Sequence, residues 1–293
     1  MMTKQIIVKL EGGLGNQLFQ YFAALQLSSE LGVKLCLDIT YYFQNYTKNH
    51  EKPYLLDYKY IRDNHFVWKR FPRITREFWR LVPFLARTRK VCLITDTNLQ
   101  VKDKTYLILM RGIFQDLKLL PTPSKISEVM RLGVANDAQK HIDKFLNEKT
   151  CIFHIRRGDF LQYPSQNILN RNYYLNALSL VRKLEGNKNY VLMSNDVAGA
   201  INWLNHENLR IDIFDSENIL RPPEVMEIAS LCQSVILANS TFSWWVAYLG
   251  TTRGSVDLVL YPEELGIKNV QFLTSVFSRS KWIPLDRDGV VQE

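Results

Sequence analysis

Cys151-Ile152-Phe153-His154-Ile155-Arg156-Arg157-Gly158-Asp159 is the stretch whose reading decides the fold. Its first three residues are an apolar run of the kind that fills a buried strand, and the charges begin where the run ends. A strand that delivers a histidine, two guanidiniums and a carboxylate into one loop has two readings. It is an exposed strand end with ordinary salt bridges, or it holds a diphosphate, for which arginine's planar fork and permanent charge are well suited. Downstream, apolar runs at 190–194, 211–214, 235–238 and 257–261 alternate with helical patterns near 171–185, 196–206, 222–232 and 242–250. Strands alternating with helices of this length predict parallel sheets and right-handed crossovers. Upstream, the patterning predicts strands at 5–10, 34–39 and 105–110, a helix over 15–31, and a helix over 123–147 capped by Ser124 or Ser127, with an aromatic, irregular stretch between. A boundary at Glu148-Lys149-Thr150 gives domains 1–148 and 149–293. The fold class expected is α/β, two Rossmann-like domains facing across a cleft at their strand ends, the usual ligand position for open parallel sheets.

Two further segments bear on the arginine loop. Glu11-Gly12-Gly13-Leu14-Gly15-Asn16-Gln17-Leu18-Phe19-Gln20-Tyr21 follows the apolar run Ile6-Ile7-Val8 and opens a helix. Strand, glycine turn and helix N-terminus form an anion site, because free N–H groups and the helix dipole favour negative charge. The spacing is neither the dinucleotide fingerprint, since Leu18 stands where the last glycine belongs, nor a Walker loop, since no Lys-Ser or Lys-Thr follows. Read alone, it is equally a tight strand-to-helix connection. The other segment, Asn239-Ser240-Thr241-Phe242-Ser243-Trp244-Trp245-Val246-Ala247-Tyr248-Leu249, follows Val235-Ile236-Leu237. Its small polar residues sit where a helix begins, where hydroxyls cap the helix or bond a phosphate. The paired tryptophans read as core.

The composition is that of a globular chain: of 293 residues, 46% are hydrophobic and 23% charged. Cys36, Cys92, Cys151 and Cys232 are widely spaced among apolar residues and read as buried free thiols of a reducing compartment. Met1 to Gln5 leads into a strand with no signal-peptide apolar region, and no run approaches the roughly 20 apolar residues of a membrane span. A cytoplasmic protein is expected, soluble or peripheral at the inner face of the membrane. The net charge is +8 and uneven. Arg62, Lys69, Arg70, Arg73, Arg76, Arg80, Arg87, Arg89 and Lys90 face only Asp63 and Glu77 over 62–90, interleaved with Phe66, Trp68, Phe71, Phe78, Trp79, Leu81, Val82, Phe84 and Leu85. Such a stretch lies on an anionic membrane or a nucleic acid, or covers a local core. A basic binding protein without catalysis is the rival reading, but no recognised nucleic-acid module is present. Asp286-Arg287-Asp288 is an Asp-x-Asp, read as chance in a charged tail. The five histidines lack metal-ligand spacing.

Taken together and in this order, EGGLGNQLFQY, HIRRGD and NSTFSWWVAYL, with Tyr261-Pro262 and Lys281-Trp282-Ile283-Pro284 toward the end, resemble the alpha-1,2-fucosyltransferases of glycosyltransferase family 11, of the bacterial type. The chain departs from the usual pattern at Ser194-Asn195-Asp196 and at Arg111-Gly112-Ile113-Phe114-Gln115-Asp116. The resemblance implies a GT-B arrangement and inverting transfer of L-fucose from GDP-fucose to the 2-hydroxyl of a terminal beta-galactose, on an oligosaccharide or lipid-linked glycan. Transfer of fucose in another linkage is the alternative. No metal and no nucleic acid are implied as cofactor or partner; peripheral contact with an anionic membrane through 62–90 is compatible. Arg156 would stabilise the departing diphosphate, and Arg157 either joins it or holds the loop through Asp159. Gly13, Gly15 and Asn16 would meet the phosphates from one domain, and Asn239, Ser240, Thr241 and Ser243 from the other. Glu227, with Glu224 as fallback, and His154 would take the guanine; strand alternation sets His154 on the same side as Arg156. For the acceptor proton, Glu11, Asp38, Asp96 and Asp159 all lie near predicted strand ends, and nothing in the sequence selects among them.

Overall fold

The computed structural model describes residues 4–43, 51–68, 72–88, 90–101, 105–131, 142–143, 149–157, 169–205, 210–214, 220–269 and 279–291. The chain divides into two compact units: Met1–Leu132 with Ile267–Asn269, and Gly133–Gly266 with Val270–Glu293. The boundary read from sequence, at 148, falls among residues 144–148, which lie outside the described residues.

Unit 1 carries strands β1 (Gln5–Lys9), β2 (Lys34–Asp38), β3 (Phe66–Trp68), β4 (Val91–Ile94) and β5 (Leu107–Met110), in the order β3-β2-β1-β5-β4, all parallel. Its helices are α1 (Leu14–Leu31), α2 (Lys59–Asn64), α3 (Pro72–Leu85) and α4 (Pro123–Val129). The apolar run Gln5–Lys9 is buried from its second residue on, as the central strand of a covered parallel sheet must be. Helix α1 ends on Gly32, whose φ of 62° is the left-handed turn that closes a helix. The stretch expected to be irregular holds β3, α3 and β4. Helix α4 stops at Val129; most of the remainder of the expected 123–147 helix lies outside the described residues.

Unit 2 carries β6 (Thr150–Ile155), α5 (Arg171–Glu185), β7 (Asn189–Ser194), α6 (Val197–Leu204), β8 (Ile211–Ile213), α7 (Pro222–Ala229), β9 (Ser234–Ile236), α8 (Thr241–Arg253), β10 (Leu258–Pro262) and β11 (Lys281–Leu285). The sheet order β11-β10-β9-β6-β7-β8 is parallel throughout. Read in chain order it is 3-2-1-4-5-6, the Rossmann order, with the direction of winding reversed between β6 and β9. Cys151, Phe153 and Ile155 point into a core shared with Tyr173, Ala177 and Val181 of α5 and Leu204 of α6. On the other face, Trp244 and Trp245 of α8 are fully buried, and Trp244 stacks on Tyr248 at 4.7 Å. The tryptophan pair is core; a buried ring of this size stabilises by about 3–5 kcal/mol relative to alanine. Strand β11 is not among the strands predicted from the sequence, and Pro284 lies within it. It is an edge strand, where proline's missing N–H costs no ladder bond. All four cysteines are free, and burial pushes the Cys36 and Cys232 thiols up to about 12.

Candidate functional site

The switch point of unit 2 brings together the two loops singled out in sequence. Strand β6 delivers His154 and then Arg156-Arg157 at its C-terminal end; its neighbour β9 delivers Asn239 and Ser240 at the same edge. Alternation along β6 decides which side chain goes where. His154 turns away from the Phe153 and Ile155 core and packs its ring 6.2 Å from Phe242, in the first turn of α8. Arg156 follows on the same side, half-buried and close enough for its charge to act on His154. Arg157 goes to the opposite side. Its guanidinium lies 5.0 Å over the Trp203 ring and 3.9 Å from the Asp196 carboxylate, and the Arg157 backbone N–H donates to Asn195 Oδ1 at 3.1 Å. Arg157 therefore fastens the loop to the β7–α6 turn through Asp196, and Asp159, its expected partner, lies outside the described residues, as does Gly158.

At the start of α8, Ser240 is the N-cap: its Oγ accepts the Phe242 N–H at 3.3 Å. Asn239 and Thr241 beside it are half-buried. Ser243 is a correction to the sequence reading. It is fully buried, and its hydroxyl donates toward the Ala238 and Ser240 carbonyls at 3.2 and 3.0 Å, which leaves no proton for a phosphate oxygen. It holds the turn that Ser240 caps. A second hydroxyl does the same work from behind: Tyr173 of α5 donates to the Leu237 carbonyl at 2.9 Å.

Glu227 is the other correction. Its carboxylate pairs with Arg253 at 2.9 Å, and Arg253 is the last residue of α8. A 13-residue helix is roughly 20 Å long, so Arg253 lies far from the hydroxyl-rich loop at the other end. Glu227 is held at the end of the sheet where strands begin. Glu224 is in the first turn of α7, whose chain arrives from the C-terminal edge of β8, and its carboxylate accepts the Arg221 backbone N–H at 2.8 Å and the Arg221 guanidinium at 3.1 Å. Burial raises its carboxyl, but the Arg221 side-chain and backbone hydrogen bonds and charge outweigh this and hold it below the ordinary range.

His154 Nδ1 is buried with no hydrogen-bond partner among the described residues. Burial first, and the Arg156 charge second, push its pKa down from 6.5 to about 3. The ring is neutral and able to donate from one nitrogen and accept at the other. Between pH 6.5 and about 3 the unfolded chain binds a proton that the folded site refuses. Stability should therefore fall as pH drops below 6.5, by up to about 1.4 kcal/mol per pH unit from this residue. His65, also lowered by burial, adds to the same slope. His154→Gln removes its own share, so denaturant melts at pH 7 and pH 5 should show a smaller loss than in the parent. Equal losses would mean that the folded site takes up the proton.

Unit 1 builds its glycine loop at the equivalent edge, where β1 and β5 are neighbours. Gly12 has φ 79°, and a Cβ there would fall 2.9 Å from Asn16 Nδ2, so only glycine fits. Gly13 caps α1 without any side-chain bond, and a Cβ on it would meet nothing within 4 Å. Gly15 is buried in the first turn. Two buried glutamines missed in the sequence reading position this loop. Gln17 Nε2 donates to the Gly12 and Lys52 carbonyls at 2.9 and 2.8 Å, while its Oε1 accepts the Leu55 N–H at 3.0 Å. Gln20 accepts the Glu11 N–H and donates to the Gly112 carbonyl. The signal was present: two polar residues three apart inside an apolar helix must bond backbone. Asn16 Oδ1 accepts from Gln115 at 3.4 Å, and the Tyr42 hydroxyl donates to Gly12.

The carboxylates near strand ends separate by environment. Asp38 is buried and accepts from Thr40 N, Thr40 Oγ1 and Trp79 Nε1. Asp96 accepts the Ile113 and Phe114 N–H groups and so holds Phe114 at φ 58°. Both are structural. Glu11 pairs with Lys9 and keeps its side chain 31% exposed. Asp286 accepts the Asp288 and Val290 N–H groups, and Asp288 accepts from Asn170, which makes this Asp-x-Asp a turn. Among the described residues, no cluster of histidine, cysteine and carboxylate side chains could hold a metal ion.

The family described as Glycosyl transferase family 11 matches residues 131–284, just over half of the chain. The chain is 28% identical over 285 residues to the O-antigen biosynthesis glycosyltransferase WbnK of Escherichia coli, covering 84% of this chain and 91% of that one. It is 27% identical over 259 residues to an alpha-1,2-colitosyltransferase of Escherichia coli, covering 83% and 87%. Among solved structures, the NodZ alpha-1,6-fucosyltransferase co-crystallised with GDP aligns over 84% of this chain and 92% of its own, with a TM-score of 0.51 at 12% identity. That likeness is one of fold: two parallel α/β units, the GT-B type.

Proposed function

We propose, from the premise that the chain belongs to glycosyl transferase family 11, that it moves L-fucose from GDP-fucose to the 2-hydroxyl of a terminal beta-galactose, with inversion, during synthesis of a surface polysaccharide. The observation that carries this reading is the meeting of Arg156 with the capped N-terminus of α8 at one switch point. The bond from the sugar's anomeric carbon to the diphosphate breaks, the bond to the acceptor oxygen forms, and the acceptor hydroxyl loses its proton. Negative charge grows on the departing GDP, and fixed donors stabilise it. Arg156 supplies a forked pair; Asn239, Ser240, Thr241 and the α8 N-terminus supply the rest. In unit 1, Gly13, Gly15 and Asn16 form a second anion-binding end. Asp159, three positions after Arg156 in sequence, is the catalytic carboxylate of this reading. His154 and Glu224 take the guanine edge in place of the Glu227 expected from sequence. The relatives support O-antigen work and an alpha-1,2 linkage, since WbnK and the colitosyltransferase are so named.

The second name also favours another reading, in which the donor carries a different deoxy sugar on GDP. A thermal-shift series with GDP-fucose, GDP-colitose, GDP-mannose, UDP-galactose and CMP-sialic acid tests both. GDP-fucose should raise the midpoint most, and linkage analysis of the product should find substitution at O2. A larger shift with GDP-colitose would move the donor assignment, and a UDP-sugar or CMP-sugar preference would remove it. In the same series, Glu224→Gln should weaken GDP more than inosine diphosphate, which lacks the exocyclic amine; equal loss would move guanine elsewhere.

Fixed donors make a divalent metal unnecessary in this scheme. Turnover should persist in excess EDTA, and Asp286→Ala/Asp288→Ala should lower stability without creating metal dependence. Strict dependence on added magnesium or manganese would overturn this part.

A further inference from the structure

Helix α3 has two apolar faces, and the fold covers one of them. Trp79 and Val82 pack on Ile7 and Leu109 of the unit 1 sheet. On the outer side, Leu81, Phe84 and Leu85 are 56%, 60% and 37% exposed. Their i, i+3, i+4 spacing aligns them as one stripe. Apolar residues scattered over a surface need no explanation, but three in line on one helix do. Cations flank the stripe. Arg80 is exposed beside Leu81 with its guanidinium 3.0 Å from the exposed Glu77 carboxylate, the Arg87 guanidinium lies 5.3 Å from the Phe84 ring, and Lys90 is exposed just beyond.

An apolar stripe edged by cations matches one surface chemically: an anionic bilayer. Its acyl boundary takes the apolar side chains while its phosphates take the guanidinium and ammonium groups. We infer that α3 seats unit 1 on an anionic membrane, with Leu81, Phe84 and Leu85 inserted and Arg80, Arg87 and Lys90 at the lipid phosphates. Topology sets which end of unit 1 docks. The chain leaves β3 at its C-terminal end and enters β4 at its N-terminal end, so α3 runs back along the sheet. Its last turns lie toward the strand starts, and the glycine loop at the strand ends stays clear of lipid. No helix among the described residues is long and apolar enough to cross a membrane, so this contact is peripheral. It holds whichever sugar is transferred.

The test is sedimentation of the full chain with vesicles of phosphatidylcholine alone and of phosphatidylcholine with one-third phosphatidylglycerol. Binding to the anionic vesicles should be on the order of tenfold stronger or more, and should weaken as salt is raised. Leu81→Ser/Phe84→Ser/Leu85→Ser should cut binding to anionic vesicles on the order of tenfold or more. Arg80→Gln/Arg87→Gln should shrink the preference for anionic lipid. Both variants should keep the parent's thermal midpoint and its transfer rate to a soluble acceptor, which separates this result from any failure of the donor assignment. Equal sedimentation with neutral and anionic vesicles overturns the proposal. So does a triple-serine variant that binds like the parent. If that variant instead turns a dimer into monomers with vesicle binding unchanged, the stripe belongs to a second copy of the chain.

Discussion

Arg156→Lys is expected to lower kcat on the order of 100-fold or more, the loss that follows removal of a well-placed donor to transition-state charge. The substitution keeps the positive charge, so long-range attraction for GDP survives and the KM for the donor should move little. In the proposed reading, what disappears is the fork, two parallel N–H donors for adjacent phosphate oxygens. Arg157→Lys is the control, because the two arginines leave β6 on opposite sides. Arg157 sits over Trp203 and near Asp196, and its backbone is fixed by Asn195. Its replacement should cost less than about tenfold in kcat, with a fall in stability from the lost stacking of about 1 kcal/mol. Steady-state kinetics on the pair decide the matter: near-normal turnover in folded Arg156→Lys, or equal losses in both variants, would take the leaving-group role away from Arg156.

Gln17→Leu is expected to destabilise unit 1 by about 2 kcal/mol, chiefly the cost of leaving the buried Leu55 N–H unpaired. The side chain fits the space, so no cavity contributes. The Leu55 N–H loses its acceptor and the Lys52 carbonyl one donor, while the Gly12 carbonyl retains the Tyr42 hydroxyl. Because Gly12 carries the positive φ on which the turn depends, donor KM should rise along with the stability loss. Hydrogen exchange at the Leu55 amide reports the first effect and initial-rate kinetics the second. An unchanged melting midpoint would show that these groups find water instead.

Alternation of apolar runs and helical patterns was enough to read most of unit 2, where β6, β7 and β9 are short, largely buried and each precede a helix whose N-cap side chain accepts a backbone N–H. Strand β11 carries Pro284, and proline argues against a strand unless the strand is known to lie at an edge. In unit 1, β3 is three residues long and α3 is dense in arginine, so local composition read as irregular where packing of Trp79 and Val82 makes a helix. The site was legible in its charges and less so in its geometry. Strand alternation on β6 correctly sets His154 apart from Arg157. Glu227 was misplaced because nearness in sequence to the hydroxyl loop says nothing of which end of the sheet a residue faces. The guanidinium of Arg253, 26 residues on, holds it at the other end. Ser243 read as a ligand because a hydroxyl looks the same in sequence whether it faces a cleft or a carbonyl. Gln17 and Gln20 went unread because their partners are main-chain atoms, which no side-chain motif displays.

The direction in which α3 runs has a consequence for the choice of acceptor. Its 14 residues span on the order of 20 Å, with the inserted stripe toward one end and the glycine-loop edge of the sheet toward the other. A unit anchored by that stripe works at a set height above the bilayer. On the proposed docking, sugars next to the lipid would be below its reach, and a glycan would have to grow outward before its terminal residue arrived at the loop. The fold would then act as a ruler, admitting acceptors by length before any side chain tests which sugar they end in.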